Sequence, residues 1–446
     1  MTKKNYIIYI AFLIASFGYI FNFDSAIISS SIENLALTFK ISKKNIGFLI
    51  TISLFGSLAG GMLSGYLSER IGRKKTIIYS LINFIIGGII TSFSINIYFF
   101  MFGRILMGLS LGSVFLVGSI YITEVSPSES RGKNGSISQL LMPFGLIFGF
   151  FIVYLISNYV TNDLIISNSW RILFLFETLQ VLIILFLFLK VPESPRWLFF
   201  KGNKSQAILN LGFFLPEKQI NKVISQMEDS NNTSVPRKKI TINKGLFLVL
   251  ILATIFPFFR QLSGINPIIY YAPQLFKEFS IHTVTGYYQS IFMGIFQILG
   301  SFISLFFIDK WGRKVLLFIG TLGVALSLGY ITYSLLLKEK NPFEIYSLYF
   351  YNFTYTFSLG TILTIYISEI LPTNIRSLGV TIFTFLNYVF DIILTQIFPI
   401  IETKTSYLPF LIFFITSTFL LIFIPFIPET KGKTLEDIEK YWDNII

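Results

Sequence analysis

Long apolar segments restrict what this chain can fold into more than any other feature of its sequence. An α-helix rises 1.5 Å per residue, so about 20 apolar residues cross the ~30 Å hydrocarbon core of a bilayer. Such segments lie near 6–29, 46–67, 76–95, 98–122, 136–159, 170–190, 246–276, 286–308, 315–337, 345–371, 377–400 and 407–427. Only 13% of the 446 residues are charged, about half of what a soluble domain carries. The sequence therefore predicts an all-α membrane protein with twelve transmembrane helices.

The segments fall into two sets of six, separated by a polar and basic stretch. We predict an N-terminal six-helix bundle at 1–190, a cytoplasmic linker with short helices at 191–245, a C-terminal six-helix bundle at 246–427 and a cytoplasmic tail at 428–446. Lys and Arg concentrate in the loops of one side, which predicts that both termini are cytoplasmic. The first segment lacks a small-residue cleavage site, so we expect it to be retained. The compact loops favour a bacterial inner membrane.

Several chemistries are excluded by residues that the chain lacks. It contains no cysteine and a single histidine, His282, so neither a disulfide nor a zinc site is expected. No catalytic triad, phosphate-binding loop or base-reading motif occurs, so we predict neither an enzyme nor a nucleic-acid partner. The basic loops of a membrane protein explain the net charge of +12. We expect no metal and no cofactor.

Three motifs occur twice, once in each half of the chain. Residues 68–74 correspond to 308–314 at an offset of 240, residues 121–131 to 366–376 at 245, and residues 192–196 to 428–432 at 236. Motifs repeated at nearly one offset indicate duplication of a unit of six spans.

In these motifs the chain resembles the sugar porter family of the major facilitator superfamily, over essentially its whole length. The resemblance implies the major facilitator fold, with two pseudo-symmetric six-helix bundles and a cytoplasmic gate of paired charges at helix ends. The gate residues that it implies are Glu69, Arg70, Arg73, Glu124, Arg131, Asp309, Arg313, Glu369 and Arg376. It also implies that the seventh helix breaks and gates the outer side at Tyr270 and Tyr271. Positive-inside charge alone is the alternative explanation of the motifs.

Charged residues inside the predicted spans are more informative, because an unpaired charge there costs several kcal/mol. Asp24, Arg104 and Glu177 match positions that form the coupling group of the proton-coupled members, whereas facilitative members carry an amide at the first position. The resemblance implies that Asp24 carries the proton, that Arg104 is its partner and that Glu177 assists. A static ion pair that locks two helices is the alternative.

Sugar recognition requires directional hydrogen bonds and an aromatic face. The substrate contacts implied by the resemblance are Gln139, Gln261, Asn266, Gln297, Asn387 and Tyr388. Arg260 stands where the family has Gln, and Asp391 where many members have Asn. An isolated charge in the cavity is costly, so we expect these two residues to pair. In the alternatives, Arg260 binds a substrate carboxylate or Asp391 is a second proton site.

The favoured interpretation is a proton-coupled symporter of a monosaccharide or related polyol that works by alternating access, as a monomer in the lipid bilayer. A carrier of an anionic substrate such as a sugar acid, motivated by Arg260, and a facilitative uniporter are the alternatives within transport. A nutrient sensor built on the same scaffold is the alternative outside it, although such sensors usually have a longer tail.

Overall fold

The described part of the chain is helical throughout its regular elements. In this computed structural model the described residues are 3–42, 45–126, 131–160, 162, 166–232, 244–279, 286–338, 342–372, 375–433, 438 and 441–442. The helices before residue 240 are α1 (Lys3–Phe39), α2 (Ile46–Ile71), α3 (Arg73–Ser92), α4 (Ile97–Val125), α5 (Arg131–Tyr159), α6 (Ser169–Leu189), α7 (Pro195–Phe200), α8 (Lys204–Phe214) and α9 (Glu217–Asn232). The later ones are α10 (Lys244–Leu262), α11 (Ile265–Tyr270), α12 (Ala272–Phe279), α13 (Gly286–Trp311), α14 (Arg313–Leu337), α15 (Phe343–Tyr355), α16 (Ile362–Ile370), α17 (Arg376–Glu402) and α18 (Tyr407–Phe423).

Eleven helical segments in this part of the chain are long and apolar enough to cross a membrane. They are Asn5–Phe39, Ile46–Ile71, Arg73–Ser92, Ile97–Val125, Leu140–Tyr159, Ser169–Leu189, Phe247–Tyr270, Gly286–Trp311, Arg313–Leu337, Leu378–Glu402 and Tyr407–Phe426. The first of them runs ten residues beyond the predicted end at position 29. The prediction of an all-α, multi-pass membrane fold is confirmed.

The tenth predicted span, near 345–371, is an interrupted helix rather than a continuous one. A π-helical turn, Thr356–Gly360, separates α15 from α16. The hydroxyls of Thr356, Ser358 and Thr361 each donate to a carbonyl oxygen four or five residues earlier. Carbonyl groups at the interruption are thus hydrogen-bonded, which a break inside hydrocarbon requires.

Two compact units make up the chain. Unit 1 comprises Met1–Asp24, Ile52–Gly145 and Ser167–Lys239, and unit 2 comprises Ser25–Thr51, Leu146–Ile166 and Ile240–Ile446. The second halves of α1 and α5 and the start of α2 thus cluster with the later helices. The predicted domain boundaries at 190, 245 and 427 stay a prediction.

Within unit 1, α2 and α4 lie in backbone contact. A Cβ on Gly60 would come within 2.0 Å of the Leu109 carbonyl oxygen, and one on Gly112 within 1.9 Å of the Ser57 carbonyl oxygen. The Ser57 hydroxyl donates to the Gly108 carbonyl oxygen at 3.1 Å. Small residues that let backbones approach, and hydroxyls that bond across helices, are what hold transmembrane helices together. This contact fixes the buried polar residues that α2 and α4 carry.

In unit 2 the seventh predicted span is broken between α10 and α11. Gly264 has a φ of +87°, and a Cβ on it would meet the Phe413 ring at 2.3 Å, so this position accepts only glycine. The Tyr351 hydroxyl donates to the Ser263 carbonyl oxygen at 2.8 Å and so satisfies a group that the break releases. The break places Asn266 at the start of the short helix α11.

Candidate functional site

A buried ion pair joins α1 to α4 inside unit 1. The Arg104 guanidinium donates both Nη atoms to the Asp24 carboxylate, with 2.9 Å between Nη2 and Oδ2, and Nη2 also lies 2.9 Å from the Ser53 hydroxyl. Arg104 is fully buried and Asp24 is 5% exposed. The Arg104 guanidinium carbon lies 5.1 Å from the centre of the Phe174 ring. The structure therefore brings together the first two predicted coupling residues in a bidentate pair, the strong geometry for such a bond.

Glu177 on α6 lies beside this pair. It is fully buried, and neither carboxyl oxygen has a hydrogen-bond partner among the described residues. Its charge interacts with both Asp24 and Arg104. Two carboxyl groups thus interact electrostatically with one guanidinium, and the trio has no net charge when one of the two carboxyls is protonated. Buried charges of this kind mark proton pathways in membrane transporters.

A chain of side-chain amides occupies unit 2, where α10, α11 and α17 meet. The Asn266 amide nitrogen donates to Gln261 Oε1 at 3.1 Å. Gln261 Nε2 in turn donates to the Asn387 backbone carbonyl at 3.2 Å and to Asn387 Oδ1 at 3.3 Å. Three of the predicted substrate contacts are therefore in one hydrogen-bonded group. Such a group offers donors and acceptors in fixed directions, which suits a polyhydroxylated ligand.

The prediction that Arg260 and Asp391 form an ion pair is wrong. Arg260 Nε donates to the Tyr355 hydroxyl at 3.3 Å, while Asp391 Oδ1 accepts from the Thr395 hydroxyl at 3.1 Å. Among the described residues, no cation lies within 4.0 Å of the Asp391 carboxylate. Arg260 thus has a polar partner on α15 and Asp391 has one on its own helix, α17, which removes the need for direct contact.

The remaining predicted substrate contacts are not part of the amide chain in the described structure. Gln297 is buried on α13 and donates to Asn352 Oδ1 at 3.0 Å, so it joins α13 to α15. Tyr388 is half-buried on α17 and interacts with the charge of Asp391. The side chain of Gln139 lies outside the described residues.

At the corner between α2 and α3, called corner 1, the first copies of the three motifs meet. Arg73 Nε and Nη2 donate to the Glu124 carboxylate at 2.9 to 3.2 Å. The Glu193 carboxylate accepts from the backbone nitrogens of Arg73 and Lys74 at 2.9 and 3.0 Å. Gly72 has a φ of +103°, and a Cβ there would lie 2.3 Å from a Glu193 oxygen. Glu193 thus binds the start of α3, where free amides and the helix dipole favour an anion.

The second copies meet in the same way at corner 2, between α13 and α14. Arg313 donates to the Glu369 carboxylate at 2.8 and 3.0 Å, and Glu429 accepts from the backbone nitrogens of Arg313 and Lys314 at 3.0 and 2.9 Å. Burial opposes ionisation of Glu429, but backbone amides, with that of Lys431 first, outweigh burial and hold the pKa of this carboxyl below its ordinary value.

The other predicted gate residues are less uniform. The Glu69 carbonyl oxygen accepts from the Trp197 indole at 2.9 Å, and the Arg70 guanidinium lies 4.3 Å from the centre of the Tyr66 ring. Asp309 forms an exposed ion pair with Arg313 at 3.3 Å, a kind of pair that contributes little to stability. The side chains of Arg131 and Arg376 lie outside the described residues.

The two predicted outer-gate tyrosines are buried on either side of the junction between α11 and α12. The Tyr271 hydroxyl donates to the Thr395 carbonyl oxygen at 3.4 Å, and its ring stacks on Phe398 with 5.1 Å between ring centres. Tyr270 is 4% exposed. The structure therefore attaches the end of the broken helix to α17.

Sequence reasoning missed several participants. Glu193 and Glu429 were seen only as parts of repeated motifs, and the signal that identifies them is an acid placed after a repeated Pro. Tyr355 and Thr395 carry no sequence signal, because hydroxyl-bearing residues are frequent in these helices. Among the described residues, no group of three His, Cys, Asp or Glu is arranged to hold a metal ion.

Comparison with known proteins identifies a family that the chain matches. The family described as sugar (and other) transporters matches residues 10–442. The chain is 28% identical to the D-xylose-proton symporter of Escherichia coli strain K12, over 99% of this chain and 96% of that protein. It is 29% identical to the arabinose-proton symporter of Bacillus subtilis, over 95% of this chain and 92% of that protein.

Solved structures resemble the chain over nearly its full length. The inward-open conformation of the xylose transporter XylE from Escherichia coli gives a TM-score of 0.86 at 26% identity, over 98% of this chain and 100% of that one. The proton:xylose symporter XylE bound to 6-bromo-6-deoxy-D-glucose gives 0.82 at 26% identity, over 99% of this chain and 100% of that one.

Proposed function

The chain belongs to the sugar (and other) transporter family, and from this premise we propose that it is a proton-coupled symporter of a neutral monosaccharide or related polyol. As a member of that family it is a transporter and not an enzyme. Its relatives include proteins named as xylose-proton and arabinose-proton symporters, which supports both the sugar and the proton in this proposal.

The observation that carries the proposal is the buried trio of Asp24, Arg104 and Glu177. A carboxylate that only bonded a neutral sugar would not need a guanidinium partner and a second buried acid. The trio combines a bidentate ion pair with an acid whose oxygens lack hydrogen-bond partners among the described residues. Asp24 takes up the proton, Arg104 holds its carboxylate in place when it is ionised, and Glu177 accepts or returns the proton.

The sugar is bound by the amide chain in unit 2. Gln261, Asn266 and Asn387 form one hydrogen-bonded group, and Tyr388 on the same helix as Asn387 provides an aromatic face. Arg260 has the Tyr355 hydroxyl as a partner, which favours a neutral substrate over a sugar acid. Gln139 stays a predicted sugar contact. Gln297 on α13 bonds Asn352 and so links α13 to α15.

The two corners act as the cytoplasmic gate. Arg73 with Glu124, and Arg313 with Glu369, hold the ends of helices at positions that repeat between the halves. Glu69 and Arg70 lie near corner 1, and Asp309 lies at corner 2. The gate roles of Arg131 and Arg376 stay predictions, and Tyr270 and Tyr271 close the outer side.

The protein acts as a monomer in a bacterial inner membrane with both termini in the cytoplasm. The bacterial relatives and the concentration of Lys and Arg in the predicted cytoplasmic loops support this assignment. The chain contains no cysteine, so a single introduced cysteine reports the orientation without background. We expect a cysteine in place of Lys201 to react with an impermeant maleimide only after the membrane is opened. Labelling in intact cells would show that the orientation is the opposite one.

Uptake in proteoliposomes tests the proposal. Purified protein is assayed by counterflow against hexoses, pentoses, polyols and sugar acids, and the sugar that exchanges is then supplied with an inward pH gradient. We expect counterflow with a neutral monosaccharide or polyol, and uphill accumulation that a protonophore abolishes. Counterflow without accumulation would make the protein a uniporter, and exchange of a sugar acid alone would replace the sugar by an anion.

A further inference from the structure

A second buried carboxyl lies in unit 2, far along the chain from the trio of unit 1. Asp391 is 4% exposed on α17, within a segment apolar enough to cross a membrane. Its Oδ1 accepts from the hydroxyl of Thr395, a residue that is fully buried one helical turn later. An acid kept at such a depth persists only with a partner or a task.

The groups that face Asp391 come from four helices. Arg260 on α10 interacts with its charge, but its guanidinium bonds the Tyr355 hydroxyl instead of the carboxylate. Tyr355 on α15 and Tyr388 on α17 also interact with that charge, and the Asn266 amide on α11 interacts with the carboxyl. Asp24 has its guanidinium in bidentate contact, whereas Asp391 has neutral donors. A carboxyl held by neutral donors can take a proton without first breaking an ion pair.

The neighbours of Asp391 connect it to both the amide chain and the broken helix. Asn266, which interacts with Asp391, donates to Gln261, and Gln261 donates to Asn387. An ionised carboxylate only accepts hydrogen bonds, whereas a protonated one also donates. Protonation of Asp391 therefore changes which way the Asn266 amide is hydrogen-bonded, and with it the donors and acceptors that the amide chain offers to a sugar.

Thr395 extends this connection to the outer gate. Its hydroxyl donates to Asp391, and its carbonyl oxygen accepts from the Tyr271 hydroxyl at the end of α11. Asn266 at the start of α11 interacts with Asp391, and Tyr271 at its end bonds the Thr395 carbonyl. Both ends of this short helix are thus linked to α17 close to Asp391. A proton on Asp391 is placed to affect both sugar recognition and the position of α11.

We propose that Asp391 is a second proton-binding site of the transport cycle, so that two protons move with each sugar molecule. The inference rests on the proposed proton-coupled function and adds a stoichiometry and a residue to it. Asp24 and Asp391 each take up one proton on the side of lower pH and release it on the other. When Asp391 is ionised, the positive charge of Arg260 offsets its negative charge. Arg260 does not hydrogen-bond the carboxylate and so does not hold it in place.

The test measures the sugar gradient that balances an imposed pH gradient, so that no net flux of sugar occurs. Proteoliposomes are given an inward gradient of one pH unit with the membrane potential clamped to zero, and net flux of radiolabelled D-xylose or D-glucose, whichever exchanges in counterflow, is measured against imposed sugar gradients. One pH unit corresponds to a factor of about ten for each proton. Two coupled protons balance a sugar gradient of about a hundredfold, and one balances about tenfold.

We expect balance near a hundredfold in the wild type and near tenfold in Asp391→Asn. The matched control is Glu33→Gln, which neutralises an exposed acid paired with Lys277 and should stay near a hundredfold. Balance of the wild type near tenfold overturns the second site, and that measurement does not depend on whether Asp391→Asn folds. Balance of Asp391→Asn near a hundredfold also overturns it. A wild type that sustains no gradient at all contradicts the proposed function itself.

Discussion

Corner 1 and corner 2 have nearly the same hydrogen bonds, although they are built from different halves of the chain. Each has a glycine with positive φ, an arginine that bonds an acid on a following helix, and a second acid that binds the start of the next helix. In each corner a hydroxyl also donates a hydrogen bond to the acid that the arginine binds. The Ser194 hydroxyl donates to Glu124 at 2.5 Å, and the Thr430 hydroxyl donates to Glu369 at 2.6 Å. The corners therefore preserve the geometry of the duplicated unit.

The buried charges of the two units differ by contrast. In unit 1 an arginine and an aspartate are in direct bidentate contact, whereas in unit 2 the arginine bonds a tyrosine and the aspartate bonds a threonine. The comparison teaches that duplication kept what both halves do alike, which is to hold helix ends. It did not keep what they do differently, which we propose is proton binding at an ion pair in one half and sugar binding beside a second proton site in the other.

Asp24→Asn tests the difference between the two charged groups most severely. At an inward gradient of one pH unit we expect the accumulation ratio to fall about tenfold while counterflow continues, because an amide accepts a hydrogen bond from Arg104 but carries no proton, which leaves Asp391 as the remaining proton site. Accumulation and counterflow are measured on the same proteoliposomes, with Glu33→Gln as the control. Normal accumulation by the mutant would remove Asp24 from coupling and leave the first ion pair a purely static link.

Truncation of the amide chain tests whether unit 2 binds the sugar. Gln261→Ala and Asn266→Ala each leave a polar partner unsatisfied, at a cost of about 1 to 3 kcal/mol. The dissociation constant should therefore rise by about 5- to 150-fold, as measured by binding to detergent-solubilised protein.

Gln297→Ala is the comparison for these two variants, because its amide bonds Asn352. We expect it to lower stability more than affinity. An equal loss of affinity would place Gln297 in direct contact with the sugar, and normal affinity of Gln261→Ala and Asn266→Ala would move the sugar site elsewhere.

Arg73→Ala and Arg313→Ala test the likeness of the corners. Each removes a partly buried, charge-assisted pair, and we expect each to slow initial uptake by about tenfold, or about 1.4 kcal/mol. The prediction is equality: both variants should lose the same factor in one assay at matched expression. A difference of more than about fivefold would show that the two copies, although alike in structure, have unequal tasks.

Alanine at the close helix contact is expected to affect stability and to have the smallest effect on transport. Gly60→Ala places a Cβ within 2.0 Å of the Leu109 carbonyl oxygen, so we expect a loss of about 1 to 3 kcal/mol in unfolding free energy. At the neighbouring Gly61 a Cβ has its nearest contact at 3.8 Å, so Gly61→Ala should be almost neutral. Thermal unfolding compares the two, and equal melting temperatures would mean that α2 and α4 separate easily.

The sequence predicted the helices well, because a segment that crosses hydrocarbon must be apolar over its length. It did not predict the interruption at Thr356–Gly360, where the sequence has none of the proline that commonly marks a break. Hydroxyl groups satisfy this turn instead, and threonine and serine are too common in helices to signal it.

The site residues likewise include some whose partners were predicted correctly and some whose partners were not. Asp24 and Arg104 were predicted as partners from the family resemblance, and the cost of an isolated buried charge agrees with that pairing. The same cost argument failed for Arg260 and Asp391, because it counts charges and ignores neutral partners such as Tyr355 and Thr395. Which neutral group reaches a charge depends on helix rotation, and the pattern of apolar residues leaves that rotation undetermined within a span that is apolar all round.

The π-helical turn has a consequence for the phase of its helix. A π turn contains one residue more than the α turn that it replaces, and one residue corresponds to about 100° of rotation around an α-helix. Tyr366 and Glu369 follow the turn, and they reach the Pro428 carbonyl and Arg313 from the helix face on which it leaves them. Removing a single residue from Thr356–Gly360 would straighten the backbone and rotate both side chains away from corner 2. The insertion thus acts as an angular spacer that keeps the second copy of the motif in register with its partners.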